Sequence, residues 1–239
     1  MGEAVSKLVS ERSDAKIVAG VDINNSAVKE FPVYSSIKEF SGKADVIVDF
    51  SHHSALPDLI EYSISHCTPL VVCTTGHSDE ELELMKQAAQ KTAIFFSGNM
   101  SIGINLLTEL CRQAARVLGD SFDVEIIEKH HNKKLDAPSG TALMLANSLS
   151  KERESTKFIY DRHTERRQRE TSEIGIHSVR GGTIVGEHEV IFAGNNEIIT
   201  ITHSAMSREI FASGAVRAAI YMRSKTSGMF DMSNVIHGN

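Results

Sequence analysis

An alternation limits the fold of this chain more than any other feature. From residue 1 to about 101, short apolar runs trade places with segments of helical period. "AKIVAGVD" (Ala15 to Asp22), "ADVIVDF" (Ala44 to Phe50), "PLVVCTTG" (Pro69 to Gly76) and "TAIFFSGN" (Thr92 to Asn99) are rich in β-branched and aromatic residues, the pattern of buried strands. "GEAVSKLVSE" (Gly2 to Glu11) puts Val5, Leu8 and Val9 on one helical face. "ALPDLIEYSISH" reads as a second helix. "SDEELELMKQAAQK" reads as a third, opened by Ser78 as N-cap with Glu81 three residues on, the capping-box spacing. Near-continuous apolar strands alternating with helices predict an α/β fold of the Rossmann type, a doubly wound parallel sheet covered on both faces.

Beyond about Ser101 the texture changes. "INLLTELCRQAARVL" predicts a long helix, "FDVEIIEKHH" (Phe122 to His131) a strand, and "SGTALMLANSLSKE" (Ser139 to Glu152) a helix. A polar stretch from Arg153 to about Glu173 reads as a long loop. Its "RHTERRQRE" run interleaves acids with arginines, which favours a solvated loop over a binding patch. Three strand-like runs follow, "IGIHSVR", "GEHEVIFAG" and "EIITITHS". The turn "GNNE" (Gly194 to Glu197) between the last two has hairpin chemistry. A final helix, "REIFASGAVRAAIYM", precedes a short tail. The predicted organisation is a discontinuous dinucleotide-binding domain, residues 1–101 plus 211–239. An α+β domain with a mixed or antiparallel sheet occupies residues 102–210.

A doubly wound domain ordinarily opens with a strand and a glycine-rich turn before its first helix. Here the helix pattern begins at Gly2. The absent strand would be central, so the sheet is expected to be split, with Ala15–Asp22 and Ala44–Phe50 on one side and the Pro69 strand on the other. The expectation is a segment of roughly fifteen residues upstream of Met1; a shorter, rearranged sheet is the alternative.

The formal charge of −6 disfavours nucleic acid and anionic membranes as partners. Cys67, Cys73 and Cys111 are odd in number and lack metal-ligand spacing, which fits reduced thiols in a cytoplasm. No apolar run reaches the ~18 residues of a membrane span.

Three places carry chemistry. Asp22 ends a strand and can accept hydrogen bonds from an adenosine ribose; Ile23, Asn24 and Asn25 follow with no arginine for a 2′-phosphate, which favours NADH over NADPH. A turn former is the plainer reading of that aspartate. "CTTG" and "SGNM" follow two strands, where ligands of open α/β sheets bind. The third place is "EKHHNKKLDAPSGT" (Glu128 to Thr141). His130 can titrate near neutral pH, Lys134 can bind a carboxylate and donate a proton, and the helix start at Gly140 and Thr141 offers unsatisfied N–H donors with partial positive charge. Such a set suits a small dianionic acid that is protonated during reaction. A solvated loop and a metal site built from His130, His131 and Asp136 are the competing readings; the lysines count against metal.

The stretch "VEIIEKHHNKKLDAPSGTALMLAN" resembles the signature of the dihydrodipicolinate reductase family, whose Glu-x-His-His-x-x-Lys-x-Asp-Ala-Pro-Ser-Gly-Thr pattern is matched at every fixed position. "VDFS", "TTG", "VGEHEVIF", "ITHSAMSR", "FASGAVRAA" and "SGMFDMSNVI" extend the resemblance over nearly the whole chain. It implies NADH- or NADPH-dependent reduction of 4-hydroxy-tetrahydrodipicolinate to tetrahydrodipicolinate on the diaminopimelate route to lysine, without a metal, in a cytoplasmic homotetramer. It implies catalytic roles for His130 and Lys134, and carboxylate binding by His131, Gly140 and Thr141. Cofactor contacts are implied at Asp22, at Cys73, Thr74 and Thr75, and at Ser97, Gly98, Asn99 and Met100. Cys73 departs from a residue that is often glycine. Of the family's glycine-rich opening turn only Met1 and Gly2 remain. The rival readings are a truncated, cofactor-deficient relative without activity and a metal-dependent hydrolase.

Overall fold

Apolar runs too short to bury themselves alone set the architecture of the first part of the chain. In a computed structural model, which describes residues 1–24 and 30–238, they become α1 (Gly2–Ser10), β1 (Gly20–Val21), β2 (Val33–Tyr34), β3 (Ile47–Asp49), α2 (Leu56–His66), β4 (Leu70–Val72), α3 (Asp79–Ala88) and β5 (Ala93–Phe96). Leu70, Val71, Val72, Ala93, Ile94 and Phe95 are fully buried, as expected of strands covered on both faces. Ser78 caps α3 by accepting from the Glu81 N–H while the Glu81 carboxylate accepts from the Ser78 N–H. This is the predicted capping box.

The parallel sheet is divided, though not where the sequence places the division. β3 pairs with β4 and β4 with β5, whereas β1 pairs only with β2 in a separate two-stranded ribbon. Ala44–Phe50 therefore sits with the Pro69 strand rather than with Ala15–Asp22. The crossover through α2 makes β3 and β4 neighbours by the short connection that parallel strands favour. The fully buried Leu70–Val72 can pair along both of its edges. Of the run Ala15–Asp22 only Gly20 and Val21 are strand. Val18 and Val21 are 37% and 48% exposed, because among the described residues β2 is the one strand beside this run. Asn25 lies outside the described residues.

The next part of the chain forms α4 (Ile102–Leu118), β6 (Asp123–His130), α5 (Gly140–Ser150), β7 (Lys157–Ile159), β8 (Glu173–Arg180), β9 (Gly186–Ala193) and β10 (Ile198–Ala205). The strands make a mixed sheet in the order β10-β9-β6-β8-β7. β9 runs antiparallel to both its neighbours, and β6, β8 and β7 run parallel. The β9–β10 hairpin closes with Gly194 N–H donating to Glu197 O. Alternation along β6 sends Val124, Ile126, Glu128 and His130 inward. Val124 and Ile126 pack with Leu107 and Cys111 of α4, Leu145 and Leu149 of α5, and Ile174, Ile176, Val190 and Phe192 of the sheet.

The polar stretch after Arg153 is largely an exposed loop, as expected, but with more structure than the sequence announced. It holds the short strand β7, and its arginines clamp it to the sheet. Arg153 is buried and donates to the carbonyls of Gly119, Phe122 and Thr171. Arg162 and Arg167 pair with the fully buried Glu173, and Arg169 with Asp123 and Glu125. Interleaved charges in sequence become cross-connections once the strands bring the acids together.

The chain then forms α6 (Glu209–Met222), β11 (Gly228–Phe230) and α7 (Met232–His237). The predicted short tail is thus a parallel edge strand on β5 and a capped helix; three residues carry too little periodicity to announce a strand. Two compact units result: Met1–Ser101 with Glu209–Asn239, and Ile102–Arg208. Within the first, α1 lays Val5 and Val9 against Ala212 and Val216 of α6. α6 also passes so close to the turn after β5 that a Cβ on Gly214 would stand 1.7 Å from the Met100 carbonyl oxygen. Gly214→Ala must push a backbone, and is expected to cost about 3 kcal/mol or more, read as a fall in the urea unfolding midpoint. An unchanged midpoint would refute the close approach.

Candidate active site

In the unit Ile102–Arg208 the polar end of β6 is built around one buried carboxylate. Glu128 and His130 share the inward face of the strand, two residues apart. Glu128 Oε2 lies 2.6 Å from His130 Nδ1. Arg180, at the end of β8 and in register with His130, donates to both Glu128 oxygens at 2.8 and 2.7 Å, a bidentate pair. The Ser139 N–H donates to Glu128 Oε1 at 3.2 Å. Burial alone would raise the Glu128 pKa, but hydrogen bonds from Arg180, Ser178 and His130 outweigh it and bring it to about 2. Glu128 is therefore an anion at any physiological pH.

The loop after β6 brings the remaining predicted residues to the same end of the sheet. Asn132 N–H donates to Gly182 O, and Gly181 N–H donates to His130 O, tying this loop to the one after β8. Lys134 Nζ lies 2.8 Å from Asp136 Oδ1. The hydrogen bond from that lysine holds the Asp136 carboxyl below its ordinary pKa. Arg180 also donates to the Asp136 carbonyl at 2.7 Å. Ser139 caps α5, accepting the Ala142 N–H at 3.1 Å, so Gly140 and Thr141 form the first turn. His131 is half-buried and Gly140 exposed. Among the described residues no group of three or more His, Cys, Asp and Glu is arranged to hold a metal ion. Asp136, offered as a ligand in the hydrolase reading, is engaged by Lys134.

β9 and β10 add histidines that sequence reasoning did not single out. His188 pairs in register with Glu128 on one side and His203 on the other. Its Nε2 lies 3.0 Å from Ser139 Oγ, and its ring meets that of His130 edge-on at 5.2 Å. Burial, then the nearby His130, pushes His188 down to about 4, so it stays neutral. Opposite His130 on β9 stands Gly186, where a Cβ would come within 3.0 Å of His130 Nε2. Any larger residue would crowd that nitrogen. The period-2 spacing of Glu128 and His130 was legible in advance; Arg180 and His188 reach the site through strand register, which sequence spacing does not reveal.

The other predicted residues belong to the unit Met1–Ser101 with Glu209–Asn239. Here too a buried acid organises the turns. Asp49, at the end of β3, accepts the Ser51 N–H through Oδ1 and the Thr74 hydroxyl through Oδ2, each at 2.8 Å. One carboxylate thereby braces the turns after β3 and β4. They line a cavity of about 320 Å³ together with Phe50, His52, His53, Cys73 and Thr75. His53 Nδ1 meets the capping-box acid Glu81 at 2.8 Å. Burial pushes the Cys73 thiol far up, so it stays protonated. After β5, Ser97 Oγ donates to Asn99 O at 2.8 Å, and Asn99 Oδ1 accepts the Ser101 N–H at 2.8 Å; Gly98 and the buried Met100 complete this turn. Asp22 is exposed and takes the Asn24 N–H at 2.8 Å, an Asx-type turn. Met1 and Gly2 are exposed at the start of α1. The hydroxyls and imidazoles at the carboxyl ends of β3 and β4 fit part of a dinucleotide.

A parallel sheet with turns at the carboxyl ends of its strands, in a chain that also forms a mixed-sheet unit, defines a Rossmann-type α/β architecture. A probable dehydrogenase from Thermotoga maritima shares that fold at a TM-score of 0.63 and 10% identity, covering 100% of this chain and 86% of its own. The match sharpens with dipicolinate-bound dihydrodipicolinate reductase from Paenisporosarcina sp. TG-14, at a TM-score of 0.82 and 25% identity over 98% of this chain and 94% of that one. The 4-hydroxy-tetrahydrodipicolinate reductase of Caldanaerobacter subterraneus subsp. tengcongensis is 50% identical over 99% of this chain and 94% of its own length, and that of Clostridium tetani 46% over 99% and 93%. The family models for the N-terminus and the C-terminus of dihydrodipicolinate reductase match residues 1–100 and 103–236. The chain belongs to the dihydrodipicolinate reductase family. Reductases of this family draw on NAD(P)H.

The buried His188 yields a signed pH dependence. Its folded pKa of about 4 lies below the ordinary 6.5. The unfolded chain therefore binds the extra proton between these values, and stability rises with pH across that window. Its contribution is complete above pH 6.5 and lost as pH falls to 4, at most about 3 kcal/mol. His188→Gln is expected to flatten the unfolding free energy between pH 4 and 6.5 by that order; identical slopes for variant and parent would contradict the assignment.

Proposed function

We propose that the chain catalyses NAD(P)H-dependent reduction of 4-hydroxy-tetrahydrodipicolinate to tetrahydrodipicolinate, in lysine and diaminopimelate biosynthesis. The observation that carries this reading is the gathering of a carboxylate-held imidazole, an ammonium and a helix start at the end of β6, in a chain 50% identical over 99% of its length to a reductase of that name. The unit Met1–Ser101 with Glu209–Asn239 serves as the dinucleotide-binding domain, and the unit Ile102–Arg208 as the substrate-binding and oligomerisation domain.

When bound, the reduced nicotinamide supplies a hydride to the substrate ring. His130, with Nδ1 donating to Glu128, presents Nε2 as the atom that gives up a proton when the ring is doubly protonated. Lys134 binds a substrate carboxylate and serves as the second proton donor, with Asp136 holding its ammonium in place. His131 and the first-turn residues Gly140 and Thr141 hold the ring acid's carboxylates. Met1, Gly2, Asp22, Cys73, Thr74, Thr75, Ser97, Gly98, Asn99 and Met100 contact the cofactor. Asp22 followed by Ile23 and Asn24, with no arginine beside it, favours NADH. A homotetramer is supported by the outer face of the mixed sheet. α4 and α5 both pack on its other side, leaving Ile198 and Val179 68% and 45% exposed. Free Cys67, Cys73 and Cys111 suit a reducing cytoplasm.

Steady-state NADH oxidation with the ring acid tests the reading. His130→Gln should lower kcat by roughly 10²–10⁴, with little change in NADH affinity measured by titration. Lys134→Ala should raise KM as well, since a charge partner of the dianion is lost. Full kcat in the His130 variant would remove it from the chemistry.

A further inference from the structure

Glu128 has more partners than an orienting role needs. A lone buried carboxylate beside His130 would take the imidazole as its only counter-ion and hold it as a cation. Such a histidine is well oriented and reluctant to part with a proton. Here Arg180 already neutralises that carboxylate with two N–H groups, and the Ser139 N–H adds a neutral donor. What remains for His130 is one short bond, Nδ1 to Oε2 at 2.6 Å. Arg180 also donates to the carbonyl of Asp136, whose carboxylate holds Lys134. One guanidinium thus touches the supports of both proton carriers.

The other charged groups at this end of the sheet do not take over this task. His188, on β9, is kept neutral by burial and faces Ser139. On β10, burial also pushes His203 towards its neutral form. Lys134 and Asp136, on the loop, pair with each other. Lys129 and Glu187 pair on the opposite face of the sheet. Gly186 keeps a side chain away from His130 Nε2, so the imidazole is gripped on one nitrogen and given space on the other.

We propose that Arg180 is a positioning residue: by satisfying the Glu128 carboxylate with two N–H groups, it lets Glu128 orient His130 through Nδ1 without making His130 its counter-ion. The proposal rests on His130 as proton donor in the reduction, and deepens that reading.

Nitrogen-15 NMR of labelled histidines in the full chain, without substrate or cofactor, tests it independently of activity; His130→Gln identifies the His130 signals. In the parent, the neutral His130 ring should carry its proton on Nδ1. In Arg180→Met the His130 titration midpoint should rise by on the order of one pH unit, and in Glu128→Gln fall by a similar amount. Arg180→Lys, which keeps the charge, should return it towards the parent. The pH profile of kcat/KM for NADH-dependent reduction should move in the same directions, which a merely structural loss would not do. Midpoints that stay put, or that move the same way in the two variants, would overturn the proposal. If Arg180→Met does not fold by circular dichroism, an unmoved midpoint in Glu128→Gln overturns it alone. A parent chain with no reductase activity would sink the proposed function while the NMR result still decides the role of Arg180.

Discussion

An ionised carboxylate in the interior of a protein is tolerated only when its charge and lone pairs are fully answered. The site at the end of β6 is organised by that requirement. Glu128 is fully buried, and the groups that answer it come from four places in sequence: His130 on its own strand, Arg180 from β8, the Ser178 side chain from β8, and the Ser139 N–H at the start of α5. Satisfying one acid therefore fixes the imidazole, the end of β8 and the cap of a helix relative to one another. The titratable groups at this end of the sheet are placed as a consequence.

The same device recurs in the other unit. Asp49 ends β3, is buried, and holds both Ser51 and Thr74. In each unit an acid at the carboxyl end of a strand gathers the neighbouring loops by accepting their donors. Surface ion pairs contribute little in such a chain. The arginines of the loop between α5 and β8 are a different case, because Glu173, which Arg162 and Arg167 hold, is wholly buried. Left unpaired it would carry the full cost of desolvation.

Close approach of backbones is the second constraint. Gly214 lets α6 lie against the Met100 carbonyl, and Gly186 leaves room at His130 Nε2. Neither glycine has a positive φ; at Gly214 a backbone oxygen stands where a Cβ would be, and at Gly186 a Cβ would press on the His130 ring. The family model for the C-terminus spans residues 103–236, yet α6, β11 and α7 join the first unit in space. Continuity in sequence and continuity in the fold part company at Glu209.

The amino-acid sequence by itself determined the elements and the local chemistry. Periodicity marked α1 to α6 and the strands β3 to β6 and β8 to β10, spacing announced the capping box at Ser78 and Glu81, and the run from Glu128 to Thr141 declared its proton carriers. These are local properties, set by side chains within a few residues of each other. Tertiary structure decided what lies across strands. It joined β3 to β4 and left β1 with β2 alone, turned the expected tail into an edge strand, and recruited Arg153, Arg162, Arg167 and Arg169 as clamps. It also brought Arg180 and His188 to Glu128 through the register of three strands. Hydrogen bonds between strands depend on which edges meet, and burial of charge depends on what meets it there. Neither is written in the spacing of residues along the chain.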